Sequence, residues 1–201
     1  MLEKRSFWFI LIAIFWFSCK KNQIIEHKNE KGIVIERYTI NGDTSKGKNG
    51  RIEIYNEDGK LKEVTDYVNG KQNGERKLYE NGVLYSTEML NMDIFEGPYR
   101  LYYPSGNIKT EGQYTNNITT GIWKSYYNNG QLKEEVQMAE NEENGPFIEY
   151  HENGKVKAKG NYLHGPNEQD ELLLYDTAGI LEKKMDCKEG ICKTIWKRDS
   201  L

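Results

Sequence analysis

The sequence predicts an all-β protein: an elongated antiparallel β-ribbon of tandem β-hairpins, about six units of about 24 residues, behind an N-terminal signal peptide. Three observations carry this expectation. A tyrosine recurs at Tyr55, Tyr79, Tyr102, Tyr126, Tyr150 and Tyr175, with spacings of 24, 23, 24, 24 and 25. A glycine follows each tyrosine by three or four residues, at Gly59, Gly82, Gly106, Gly130, Gly154 and Gly179. Two residues past that glycine stands an aliphatic, from Leu61 to Leu181, and six further on a bulky apolar residue or cysteine: Tyr67, Leu90, Tyr114, Met138, Tyr162, Cys187.

The first eighteen residues differ from all that follow. Lys4 and Arg5 give a positive start, Phe7 to Phe17 is an apolar run of eleven residues, and Ser18 precedes Cys19. Eleven residues fall short of the roughly 20 that a helix needs to cross a bilayer core. The pattern fits an export signal over 1–18 with a small residue before the cut. A cysteine directly after the cut resembles the lipobox of bacterial lipoproteins, although Trp16 stands where that box usually has leucine. The resemblance implies acylation of Cys19, and with it an envelope location, on the periplasmic face or at the outer membrane. Residues 19–32 are polar and read as a tether, leaving 33–201 as the repeat domain.

Within each unit the second glycine follows Asp58, Asn81, Ser105, Asn129, Asn153 or Ala178. Asn-Gly and Asp-Gly between strand-like runs signal a hairpin, because the turn needs a positive φ that glycine and asparagine reach at little cost. Even spacing on the returning strand puts the aliphatic and the bulky residue on one face. A leading glycine stands five residues before the first five tyrosines, at Gly50, Gly74, Gly97, Gly121 and Gly145, and is expected to turn the chain into the next hairpin. One hairpin cannot bury its apolar face alone, but stacked neighbours can.

Composition narrows the function classes. Hydrophobic residues make up 37% and charged residues 29%, with a net charge of −3 and the signs interspersed. No basic stripe suited to nucleic acid stands out. His27, His151 and His164 are far apart and lack partners at metal-ligand spacing, so no metal or other cofactor is expected. No nucleophile elbow or paired-carboxylate site is legible, and no enzyme activity is expected. Two features have content. Tyr99, Trp123 and Phe147 fall at one repeat position, which would stack them about 10 Å apart on one face. Such a stripe either fills a thin core or binds, since exposed tyrosine and tryptophan favour protein interfaces and would also stack on glycans. Cys187 and Cys192 could pair as a disulfide outside the cytoplasm, or Cys187 could be a plain buried thiol.

The tandem pattern Gly-x4-Tyr-x3-Gly-x-aliphatic, in phrases such as "NGQLKEE" and "SGNIKTEGQY", resembles the MORN repeat, and most of all its bacterial variant. Chains of this kind are similar to the YwqK-type antitoxin-like group and to many small MORN-repeat lipoproteins. The resemblance implies a ribbon that contacts a protein partner or a membrane rather than a catalytic fold. It leaves two functions open: a binding or scaffold module at the cell envelope, or an immunity protein that neutralises a toxin.

Overall fold

The computed structural model describes residues 23–40, 45 and 47–199. The signal segment 1–18 and Cys19 lie outside them. The described residues contain no helix and form sixteen strands: β1 (Gln23–Lys28), β2 (Val34–Ile40), β3 (Gly50–Tyr55), β4 (Leu61–Val68), β5 (Lys71–Gln72), β6 (Gly74–Glu80), β7 (Val83–Asn91), β8 (Ile94–Tyr102), β9 (Ile108–Thr115), β10 (Ile118–Tyr126), β11 (Leu132–Ala139), β12 (Glu142–Tyr150), β13 (Val156–Tyr162), β14 (Glu168–Tyr175), β15 (Leu181–Lys188) and β16 (Ile191–Lys197). They make one open sheet in chain order, antiparallel throughout, with the two-residue β5 pairing only with β4. The expected all-β array of hairpins is what the chain forms.

Two kinds of turn alternate along the ribbon. On one edge lie the turns of Gly59, Gly82, Gly106, Gly130, Gly154 and Gly179, with φ between 79° and 88°. On the other edge lie turns that place two consecutive residues at positive φ: the two-residue turns Asn69-Gly70, Met92-Asp93, Asn116-Asn117, Glu140-Asn141 and Glu189-Gly190, and His164-Gly165 within the longer loop between Tyr162 and Glu168. That double-positive geometry matches the right-handed twist of the flanking strands. These second turns, not the leading glycines, carry the chain from unit to unit. Of the leading glycines, Gly97, Gly121 and Gly145 sit inside strands at bulges, while Gly50 and Gly74 open β3 and β6. Opposite Gln137, for example, the register jumps from Phe147 to Glu143, so three residues including Gly145 face one. Gly145 has φ of 123°, which a side chain would strain, and Asp170 with φ of 65° fills the role in the last unit.

The second turns also stitch units together. The amide of the second turn residue reaches a carbonyl in the preceding unit: Gly70 to Lys48, Asp93 to Gln72, Asn117 to Phe95, Gly165 to Glu143 and Gly190 to Glu168. Their side chains add to this, with Asp93 Oδ1 accepting from the Gln72 amide (2.7 Å) and Asn117 Oδ1 from the Phe95 amide (2.8 Å).

The expected tether needs correction. Residues 23–28 form β1, which pairs with β2 from Gln23↔Ile40 to Lys28↔Val34. Charge rather than apolar burial holds this edge: Glu26 bridges Arg37 at 3.0 Å, and His27 Nδ1 lies 2.8 Å from Glu36. A strand stabilised in this way is polar in composition and so reads as linker.

The sheet has one apolar face. Val136, Phe147, Ala158, Leu172 and Cys187 form its buried cluster, with Trp123, Met138, Tyr162, Leu174, Met185 and Cys192 packed around them. The bulky-slot residues expected from the sequence lie in one row across it, from Tyr67 through Leu90, Tyr114 and Met138 to Tyr162 and Cys187. The opposite face carries a row of opposed charges. Arg37–Glu53 (3.2 Å), Arg100–Glu111 (3.3 Å) and Lys124–Glu135 (3.2 Å) are ion pairs between directly opposite residues, the favourable arrangement across antiparallel strands.

Candidate functional site: the aromatic face and the turn edge

Tyr99, Trp123 and Phe147 all project from the apolar face, but not as an evenly spaced stripe. Tyr99 lies directly opposite Gly112 on β9, and the Trp123 ring lies over that same glycine. With no side chain between them, the rings of Tyr99 and Trp123 stack at 5.6 Å rather than about 10 Å. Tyr114 closes the group edge-on, 5.9 Å from Tyr99 and 5.6 Å from Trp123. Phe147 is separate. It lies opposite Gly160, stacks on Tyr162 at 4.1 Å and is only 3% exposed. Tyr99 and Trp123 are half-buried, and burial pushes the Tyr99 hydroxyl above its usual range. The Trp123 indole N–H is buried without a hydrogen-bond partner among the described residues.

Gly112 and Gly160 are the residues that sequence reasoning overlooked. Both lie mid-strand in "EGQY" and "KGNY". A Cβ on Gly112 would lie 2.2 Å from the Trp123 ring, and one on Gly160 would lie 2.9 Å from Phe147 and 3.2 Å from Leu172. An isolated glycine inside a strand pattern is the available signal for such close approach.

Three of the six repeating tyrosines prove to be polar connectors. Tyr55, Tyr126 and Tyr150 donate to Glu53 (2.5 Å), Glu111 (2.6 Å) and Glu135 (3.2 Å), carboxylates of the charged face. Burial and the Glu111 carboxylate push the Tyr126 hydroxyl up to about 12. The residue after the tyrosine forms a second connector across units. Tyr103 donates to the Tyr126 carbonyl (2.8 Å), Tyr127 to the Tyr150 carbonyl (2.7 Å) and His151 Nε2 to the Tyr175 carbonyl (3.0 Å). His151 is thus one of a series of ring donors. Among the described residues no group of three or more His, Cys, Asp or Glu could hold a metal ion.

Cys187 and Cys192 face each other across β15 and β16 and are joined as a disulfide, with Cα atoms 4.0 Å apart. The bridge lies in the last hairpin, next to the free edge of β16.

Acidic residues gather beside Tyr162. Glu134 lies directly opposite Glu149, and burial together with the nearby carboxylates of Glu149 and Glu143 raises its proton affinity. Glu143 is raised by burial as well.

Two grooves open along the edge of the glycine turns. One, of about 370 Å³, lies between the turns of units two and three and is lined by Glu80, Leu84, Tyr85, Tyr102, Tyr103 and Lys109, among others. Its neighbour, of about 330 Å³, lies between units one and two and shares Glu80 and Tyr85.

Comparison with curated proteins finds no match. The family model described as the MORN repeat variant matches residues 48–69, 95–116, 119–139 and 143–164. The hairpins around Tyr79 and Tyr175 fall outside the matched stretches: one has its turn glycine a residue early, the other has Asp170 at the bulge, yet both pair like the rest. Four of the hairpin units thus match the MORN repeat variant, within a repeat β-fold typical of binding modules.

Proposed function

We propose that this is an exported, lipid-anchored MORN-repeat protein that acts as a non-catalytic binding or scaffold module at the cell envelope. The observation that carries the binding reading is the single open sheet, in which near-identical hairpins stack in chain order. Such an array offers a long surface on which side chains vary while the backbone repeats, as in other solenoid-like binding proteins. Export and anchoring rest on the sequence of residues 1–19, above all the apolar run from Phe7 to Phe17 followed by Ser18 and Cys19. Two or three acyl chains would hold the protein stably, since each buried methylene contributes about 0.8 kcal/mol.

The test has two arms. Replacing Cys19 by serine should abolish labelling with a fatty-acid analogue and leave the precursor uncut, and an unchanged mature size would sink the lipoprotein reading. Capture from envelope extracts should then return a structural component. Recovery of a toxin would favour the second reading, an immunity protein of the antitoxin-like kind, for which the family resemblance speaks.

A further inference from the structure

We infer that the turn edge of units one to three is a receptor site for a tyrosine side chain of a partner polypeptide, centred on Glu80, Tyr85, Tyr102 and Lys109. The junctions between successive units are not all alike. At three successive junctions, the ring residue after the repeat tyrosine crosses to the next unit and donates to its tyrosine carbonyl: Tyr103 to Tyr126, Tyr127 to Tyr150, His151 to Tyr175. At the two junctions before them the same position holds Asn56 and Glu80. Asn56 turns inward, its Oδ1 accepting from the Lys60 amide at 2.7 Å. Glu80 has no ring to span the junction and, among the described residues, makes no such bond. The grooves of about 330 and 370 Å³ open at these two junctions. Among the described residues no side-chain hydrogen bond joins the turn at 80–82 to the turn at 103–106, whereas at later junctions such bonds are present (Asn107 to the Asn128 carbonyl, Asn153 to the Thr177 carbonyl).

The larger groove therefore has the walls of the connector position without its ring. Tyr102, Tyr103, Leu84 and Val83 give apolar sides, and Tyr85 (45% exposed) rises between the two grooves. Its charges complement a phenol. Tyrosine hydroxyls in this chain donate to a carboxylate or a repeat-tyrosine carbonyl, and the groove is lined by Glu80 and by Tyr102, whose carbonyl is the repeat counterpart of those acceptors. Lys109, which lies over the Tyr103 ring at 5.8 Å and forms no ion pair among the described residues, can donate to the same phenol oxygen. A phenylalanine ring would fill the space but leave both acceptors without a donor, a loss that site-built hydrogen bonding punishes.

This inference deepens the binding reading and is independent of export and anchoring. The probe is the pentapeptide Gly-Gly-Tyr-Gly-Gly, titrated into isotope-labelled full-length protein, with Gly-Gly-Phe-Gly-Gly and methyl glucoside as controls. The tyrosine peptide should shift the Val83, Tyr85 and Lys109 resonances saturably, and bind roughly tenfold tighter than the phenylalanine peptide. Exchanging Glu80-Asn81-Gly82 for the longer Tyr-Asn-Asn-Gly of residues 127–130 should supply the missing ring from within and abolish binding with the melting temperature kept. If that exchange misfolds, Lys109→Ala and Tyr85→Ala serve instead, each expected to weaken binding severalfold. Equal shifts with the two peptides, binding untouched by these substitutions, or saturation by the glucoside alone would overturn the assignment.

Discussion

Replacing Gly112 by alanine should be among the most damaging single-methyl additions to this protein. The new Cβ would lie 2.2 Å from Cδ2 and Cε2 of Trp123, where ordinary contact begins at 3.4 Å. Gly112 is not among the positive-φ residues, so alanine meets no backbone strain and the whole effect comes from the clash. The tryptophan must move by about 1 Å or more, and overpacking of this kind costs about 1–3 kcal/mol. Moving it also disturbs its stack on Tyr99 and its edge contact with Tyr114, aromatic pairs worth about 0.5–1.5 kcal/mol each. The expected loss is therefore about 2–6 kcal/mol, read as a shift of the urea midpoint followed by circular dichroism. The decisive measurement is the same substitution in a Trp123→Ala background, where the colliding ring is gone. There the loss should largely vanish, or turn into a gain of about 0.4–1 kcal/mol through the lower entropy of the unfolded chain. A neutral Gly112→Ala in the parent, or an equal loss in both backgrounds, would refute the account.

Trp123→Ala itself should cost about 3–5 kcal/mol and lower the melting temperature, with Trp123→Phe much milder because the indole N–H has no partner to lose. An unchanged melting curve with lost partner capture would instead place binding on Tyr99, Trp123 and Phe147. Glu88→Ala should cost about 3–5 kcal/mol, since it strands Arg76, whose 2.7 Å ion pair is largely buried at 20% and 10% exposure; a Glu88→Leu, Arg76→Leu double variant should recover much of that in denaturant titrations. Glu134 has a raised folded pKa, so its ionised form burdens the fold above that value and the burden disappears as pH falls through the ordinary glutamate range. Glu134→Gln should thus stabilise at pH 7 and lose its advantage in acid, and a gain that grows on acidification would contradict the burial assigned to this carboxyl. Thiol counting on denatured, unreduced protein should find neither Cys187 nor Cys192 free, and reduction should cost about 2 kcal/mol for so short a loop.

The hairpins were legible because each one announces its turn: a glycine or asparagine that can take positive φ, then an even-spaced apolar pair on the returning strand. The leading glycines misled because a bulge and a turn make the same demand on the backbone, and only the register separates them. Gly145 faces Gln137 mid-strand, while the actual link between units falls on Glu140-Asn141, whose glutamate carries no turn signature. β1 was hidden for the opposite reason, its pairing being ionic where strand patterns are sought in apolar alternation. The spacing of Tyr99 and Trp123 could not be read from repeat length, since it depends on a missing side chain on the strand between them. The grooves at Glu80 were present in the sequence as a glycine one residue early, visible as an irregularity but silent about the space it opens.

The stitching of each second turn onto the unit before it has a bearing on how the chain assembles. Even the side-chain hydrogen bond from Asn29 to Glu57 joins residues only 28 apart, and the turn amides bridge 21 to 22. No strand waits for a partner made much later, which is the usual reason sheet proteins fold slowly. Each hairpin can lock onto its predecessor as soon as its own turn has formed, so order spreads along the chain one neighbour at a time. A whole unit could be inserted or removed without rewriting any other, provided the connector rings on either side still find a carbonyl to meet. Length is thus the property of this architecture that changes most cheaply, and the reach of the ribbon can vary while its local chemistry stays fixed.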